Sequence, residues 1–187
     1  MAVEIEAKIK VDSLEPFRVK LAELGAKLAG EFLETNAIFD TEDHSLQAAD
    51  KGLRVRSAKT STGEQCTVTY KGPRRPGALK TRDETEISVG DFKKAVELLE
   101  VLSFKQVLSF EKKRQTWHYD TCKVELDELP GNLGLYVEIE GGSEQAIHKV
   151  QQALGLGHRQ LIKTSYVGMV MSHLQDKGHG VRVMKFG

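Results

Sequence analysis

The sequence predicts an α+β fold: a closed eight-stranded antiparallel β-barrel, or tunnel, with a charged bore and helices packed outside. Three observations carry this. Every predicted strand alternates, so each has one apolar face. The opposite faces carry like-signed charges two residues apart: Glu4 and Glu6, Arg54 and Arg56, Glu84 and Glu86, Lys112 and Arg114, Glu138 and Glu140. Eight strands are enough to close an antiparallel sheet on itself. The alternation alone also fits an open sheet with helices on one face and water on the other. The charge pairs favour closure. Like charges side by side on a sheet are mildly destabilising, and they make more sense lining a volume that encloses something. Burying unpaired charge is costly, so such a bore is wet and holds counter-charge.

The elements follow in order. The first strand covers 3–10, with Val3, Ile5, Ala7 and Ile9 on one face and Glu4, Glu6 and Lys8 on the other. A helix is predicted to about residue 29. Asp12 stands at its N-cap, Glu15 and Pro16 lie in its first turn, and Leu14, Phe17, Leu21, Leu24 and Leu28 recur at helical spacing. Residues 31–41 read as the second strand, and 42–52 as a polar loop or short helical turn. Strands at 53–59 and 65–71 flank a turn at 61–64. The stretch 72–81 holds two prolines, two glycines and several basic residues, which predicts a loop. Its Arg74, Arg75 and Lys80 are expected to be solvated, with a flap over a substrate as the alternative. A strand at 82–89 leads into a helix at 91–104 capped by Asp91. Strands follow at 106–120, 122–129 and 135–142, with a turn at 130–134. Ser143 caps a helix to about Leu154, and 161–174 reads as another, nearly continuous helix. The segment 175–187 is rich in Gly, His and basic residues and is expected to be a loose tail after a single domain over 1–174.

Composition narrows the function. The 187 residues include 27 basic and 27 acidic side chains, so net charge is zero. Such a chain has no global field to draw it to nucleic acid or an anionic membrane. No apolar run is long enough for a membrane-spanning helix, and the N-terminus does not read as a signal peptide. Cys66 and Cys122 lack a CxxC spacing and fall on outward apolar faces, which suits a reducing, cytoplasmic setting. Trp117 falls on an outward face too and is expected in the core. The six histidines show no zinc-ligand spacing.

The bore residues point to a chemistry. Clustered carboxylates bind hard divalent cations such as Mg²⁺ or Mn²⁺ through oxygen. Several Arg and Lys around one volume bind polyphosphate, Arg as a bidentate fork and Lys as a point charge. Together they suggest a metal–polyphosphate complex. The sequence contains neither a Walker P-loop nor GxGxxG, which excludes nucleotide sites of those kinds.

Eight blocks then occur in a telling order: ExExK at 4–8, FDT at 39–41, LRVR at 53–56, TYKGP at 69–73, TRDETE at 81–86, EKKRQTW at 111–117, VELDELPGNLGLYVEIE at 124–140 and IKTSY at 162–166. The set resembles the CYTH superfamily, the triphosphate tunnel metalloenzymes, over residues 1–174, and most of all its class IV adenylyl cyclase branch. The resemblance implies a metal-dependent enzyme that turns ATP into cyclic AMP and pyrophosphate. Hydrolysis of inorganic or thiamine triphosphate is the alternative, and a non-catalytic polyphosphate-binding module a third. It implies Glu4, Glu6, Asp127, Glu138 and Glu140 as metal ligands for Mg²⁺ or Mn²⁺. It implies Lys8, Arg54, Arg56, Lys71, Arg82, Lys112, Arg114 and Lys163 as the triphosphate clamp, with Lys8, Lys112 and Arg114 closest to the chemistry. Glu84 and Glu86 are read either as site residues or as structural ion-pair partners, and Glu125 is placed at the rim. Ile38 and Phe39 stand where the family commonly has a tyrosine pair. The partner is a triphosphate-containing small molecule, with no nucleic acid or membrane, and a homodimer is allowed.

Overall fold

The computed structural model describes residues 2–174 and 181–187. The described chain runs β1 (Ala2–Val11), α1 (Glu15–Glu23), β2 (Lys27–Asp40), α2 (Ser45–Ala48), β3 (Gly52–Lys59), β4 (Glu64–Arg75), β5 (Lys80–Val89), α3 (Phe92–Val101), β6 (Lys105–Tyr119), β7 (Cys122–Leu129), β8 (Gly134–Glu140), α4 (Glu144–Ala153), α5 (Tyr166–His173) and β9 (Arg182–Met184). Spatial strand order is β2-β3-β4-β5-β1-β8-β7-β6-β9. A further pairing of β2 with β6 closes the first eight strands into a barrel. All its pairings are antiparallel.

Strand parity decides what faces where, and the closed sheet follows the predicted assignment. Outward residues of β1, β7 and β8, among them Ile9, Val124, Leu126, Val137 and Ile139, are buried with Leu21 of α1 and with Ile147 and Val150 of α4. Ala37, Phe39, Leu53 and Val55 pack with Ala95 and Leu99 of α3. The helices therefore cover the apolar outer face and leave the charged face inside. Cys66 and Cys122 are buried free thiols, and Trp117 packs against the core under α1 and α4.

One helix does a different job. Ile38, Leu108, Phe110 and Tyr136 share the inward parity of the bore charges, and they pack with Tyr166 and Val170 of α5 and with Met184 of β9. So α5 lies across one end of the barrel rather than along its side. Apolar residues replace charges on the inward faces where the strands meet it.

Local chemistry sets the element ends. The Asp91 carboxylate accepts a hydrogen bond from the Lys94 amide, and the Ser143 and Ser165 hydroxyls accept from the amides of Ala146 and Gly168. Each such cap stabilises a helix start by about 1 kcal/mol. Asp12 does not cap α1; Leu14 holds that position without a side-chain bond, and Ser13 accepts from the Glu15 amide instead. Gly25, at φ 72°, turns the chain after α1, so β2 starts at Lys27 and the helix ends short of residue 29.

Two further segments differ from expectation. The stretch 72–81 is mostly strand: β4 continues to Arg75 and β5 starts at Lys80. An irregularity between Lys71 and Arg74 accommodates Pro73, which has no amide to give the ladder. The segment 161–165 is extended rather than helical. Leu161 bridges Ile9, the Ile162 amide donates to the Lys8 carbonyl at 2.8 Å, and the helix starts only after the Ser165 cap. Of the expected loose tail, 175–180 lie outside the described residues, whereas Arg182–Met184 pair in parallel with β6.

The inside-out core makes a direct prediction. Ile139 is fully buried on the outer face, so Ile139→Ala is expected to destabilise by about 2–5 kcal/mol in chemical denaturation. Ile87, 58% exposed, is expected to tolerate Ala within about 0.5 kcal/mol.

Candidate active site

The bore holds a cavity of about 550 Å³. Register places opposite charges across its strands. Lys8 faces Glu138, Glu4 faces Arg82, Glu6 faces Lys80, Lys71 faces Glu84, Lys112 faces Glu34, Arg114 faces Asp127 and Lys123 faces Glu140.

The acidic wall comes from β1 and β8. The Lys71 ammonium sits 2.7 Å from both Glu4 and Glu84. Lys80 pairs with Glu6, and Lys123 lies 2.6 Å from Glu140. Lys8 is 3.3 Å from Glu138, donates to the Thr164 carbonyl at 3.0 Å and lies 4.0 Å from the centre of the Tyr166 ring. The cationic wall comes from β3 and β6. Arg54 donates to the Thr69 hydroxyl at 3.1 Å and stands 3.7 Å from Glu86. Arg114 reaches four carboxylates: Glu125, Asp127 and Glu138 closely, and Glu34 at 3.9 Å. Arg82 extends toward Asp50 at 3.5 Å. Glu84 and Glu86 thus act as ion-pair partners of bore cations here.

The residues suit a divalent cation in kind. Glu4, Glu6, Glu84, Glu138 and Glu140 all line the cavity, and they offer only oxygen, the donor that hard cations take. Among the described residues no three acidic, His or Cys side chains already converge as a metal cage. Ammonium groups supply the counter-charge there instead. A bound cation would take over that role from Lys8, Lys71 and Lys80.

The comparisons with known proteins bear on this arrangement. A family model described as the CYTH domain matches residues 2–166. The chain belongs to the CYTH family. Among its relatives, the adenylate cyclase CyaB of Aeromonas hydrophila is 29% identical over 174 residues, covering 87% of this chain and 86% of that one. The structure of the PH1819 protein from Pyrococcus horikoshii superposes with a TM-score of 0.79 at 27% identity, over 91% of this chain and 99% of the other. HpAC1 from Hippeastrum, described as having a dominant triphosphatase activity, shares the fold with a TM-score of 0.67 at 17% identity, over 91% and 96% of the two chains.

The CYTH bore gathers most of the residues expected from the sequence. Glu4, Glu6, Lys8, Arg54, Arg56, Lys71, Arg82, Lys112, Arg114, Glu138 and Glu140 all line the cavity. Two expected residues do not. Lys163 is exposed and donates to the Gly77 carbonyl at 3.3 Å, because 161–165 runs extended beside β1. Asp127 is fully buried behind Lys112 and Arg114. Lys80, expected in a solvated loop or a flap over the substrate, lines the cavity from the start of β5. Glu125 is buried in the wall rather than at a rim.

Glu34, Lys123 and Tyr166 belong to the bore as well, although no motif singles them out as site residues. Parity was the available signal for Glu34, which shares a face of β2 with Asn36 and Asp40. Burial by itself would push its carboxyl up, but Arg56, Lys112 and Arg114 outweigh that and hold it far below the usual range. Burial and the neighbouring Arg114 push the Lys112 ammonium down. Burial and the Arg56 charge likewise lower Arg54, to about 10.

A glutamate whose pKa falls on folding stabilises the fold above its ordinary pKa of 4.5, and that contribution fades as pH drops toward the folded value. Glu34→Gln is therefore expected to be less stable than wild type at neutral pH. The gap in denaturation free energy is expected to narrow steadily below about pH 4.5.

Proposed function

We propose that the bore is the active site of a divalent-metal-dependent enzyme that converts ATP into cyclic AMP and pyrophosphate. The observation that carries the nucleotide part of this reading is the apolar end of the cavity. Ile38, Val107, Phe110, Val167 and Met171 line it beside the charged wall. A volume of about 550 Å³ falls in the range of roughly 300–1,000 Å³ that accommodates a whole organic ligand. Inorganic triphosphate needs only the charged part; a nucleotide uses both.

The chain's own residues take clear roles in this proposal. Arg54, Arg56, Lys71, Arg82, Lys112 and Arg114 hold the triphosphate oxygens, and Lys8 neutralises charge next to Glu138. Glu4, Glu6, Glu138 and Glu140 hold the metal, Mg²⁺ or Mn²⁺, which supplies Lewis-acid stabilisation of phosphate charge and lowers the pKa of the attacking hydroxyl. The ribose 3′-hydroxyl attacks the α-phosphorus. A new O–P bond forms, the bond to the bridging oxygen breaks, and pyrophosphate leaves. The hydroxyl proton passes to a bore carboxylate or to solvent. Catalysis then consists mainly of positioning and charge neutralisation.

Incubation with ATP, inorganic triphosphate or thiamine triphosphate, with Mg²⁺ or Mn²⁺, separates the possibilities. Cyclic AMP with pyrophosphate is expected. Orthophosphate without cyclic AMP would make the protein a triphosphatase, and no product from any of the three would leave a binding module. Glu138→Gln is expected to reduce metal-dependent turnover by about 100-fold or more with the fold intact by circular dichroism. Met171→Ala is expected to raise the KM for ATP by about tenfold, one apolar contact's worth, without a matching change for inorganic triphosphate.

A further inference from the structure

Two carboxylates of the bore do not face the cavity. Glu34 and Asp127 are 2% and 0% exposed, and neither lines it. They stand on either side of Lys112, whose ammonium lies 3.2 Å from Glu34 and 3.3 Å from Asp127. Glu34 also meets Arg56 at 3.2 Å and Arg114 at 3.9 Å. Asp127 accepts two bonds from Arg114, at 2.7 Å from Nε and 2.6 Å from Nη2, and one from the Tyr166 hydroxyl at 2.8 Å. Arg56, Lys112 and Arg114 themselves line the cavity.

The arrangement has two layers. Three cations face the substrate space, and two anions stand behind them. Without the rear layer, three neighbouring buried cations would repel one another and turn away. With it, each is held by charge and hydrogen bonds before any phosphate arrives, which is what preorganised anion binding requires. The orientation of Asp127 also matters. Three donors converge on its Oδ2 and one on its Oδ1, and the side chain is fully buried behind them. A metal would have to displace Arg114, Lys112 or Tyr166 to reach it. Glu4, Glu6, Glu138 and Glu140, in contrast, face the cavity.

We propose that Glu34 and Asp127 are positioning residues that aim Arg56, Lys112 and Arg114 at a triphosphate, and that Asp127 is not a metal ligand. The inference rests on the reading of the bore as a triphosphate site. It is independent of whether the bound molecule is cyclised or hydrolysed.

Two calorimetric titrations of the full chain test it: inorganic triphosphate without metal, and Mn²⁺ alone. Asp127→Asn and Glu34→Gln are each expected to weaken triphosphate binding by about tenfold or more, since each strips a buried cation of its partner. Both are expected to keep Mn²⁺ affinity within about twofold of wild type, whereas Glu138→Gln loses about tenfold or more. A purely architectural defect would not divide the two affinities in this way. Thermal melting identifies any variant that fails to fold. If Asp127→Asn is one, Glu34→Gln carries the triphosphate test from the other side of Lys112, and Tyr166→Phe, which removes one donor from Asp127, carries the Mn²⁺ test. Unchanged triphosphate affinity in a folded variant overturns the positioning role. Loss of Mn²⁺ binding in folded Asp127→Asn makes that residue a ligand after all. A wild-type chain that binds no triphosphate refutes the reading of the bore itself.

Discussion

The pairing of β2 with β6 is the interaction on which the rest of the structure depends. It closes the sheet, and its register decides which charges meet. Glu34 lands opposite Lys112, and the next pairing, of β6 with β7, sets Arg114 opposite Asp127. A slip of β2 by one residue along this seam would turn its inward side chains outward. The bore would then present Leu33 to Lys112 while Glu34 met the helices. The apolar outer faces that bury Phe39 and Val55 against α3 make such a slip costly, so core packing outside enforces charge pairing inside.

Closure also resolves the apparent conflict in each strand. Like charges two apart on one strand repel, but neighbouring strands answer each with its opposite. Glu4 and Glu6 meet Lys71 and Lys80; Arg114 meets Glu125, Asp127 and Glu138. The bore is therefore close to self-neutralised, and its ion pairs are exchangeable in principle. A metal cation on the carboxylates and a polyphosphate on the ammonium and guanidinium groups would satisfy both sets at once. This is why a complex of the two, rather than either alone, suits the site.

Much of this was legible from alternation. Parity put Glu4, Glu6, Arg54, Arg56, Lys112, Arg114 and Glu138 on the charged faces of their strands, because period 2 is enforced by the peptide geometry, and the like-signed pairs turned those faces inward. What it could not supply was depth. Asp127 shares the inward face with Glu125, yet it lies behind Arg114 and Lys112, with Tyr166 bonded to it as well. Lys80 was hidden by its neighbours: Pro73, Pro76 and Gly77 read as loop, while pairing with β1 extends the strand through Lys80. Lys163 shows the reverse. A short motif suggested the site, but the Leu161–Ile9 bridge and the Ile162 bond to β1 keep the segment extended, and the side chain is exposed. The 161–174 stretch is helical only from Tyr166, since the Ile162 amide is bonded to β1 and Ser165 caps the helix that follows.

The central claim is that the inward charges form one site for a metal and a triphosphate. A crystal structure with Mn²⁺ and a non-hydrolysable ATP analogue measures it most directly. The account predicts an anomalous manganese peak among Glu4, Glu6, Glu138 and Glu140, phosphate oxygens on Arg54, Arg56, Lys112 and Arg114, and the base toward Phe110 and Met171. Manganese or phosphates bound outside the barrel, with the bore ion pairs intact, would contradict it.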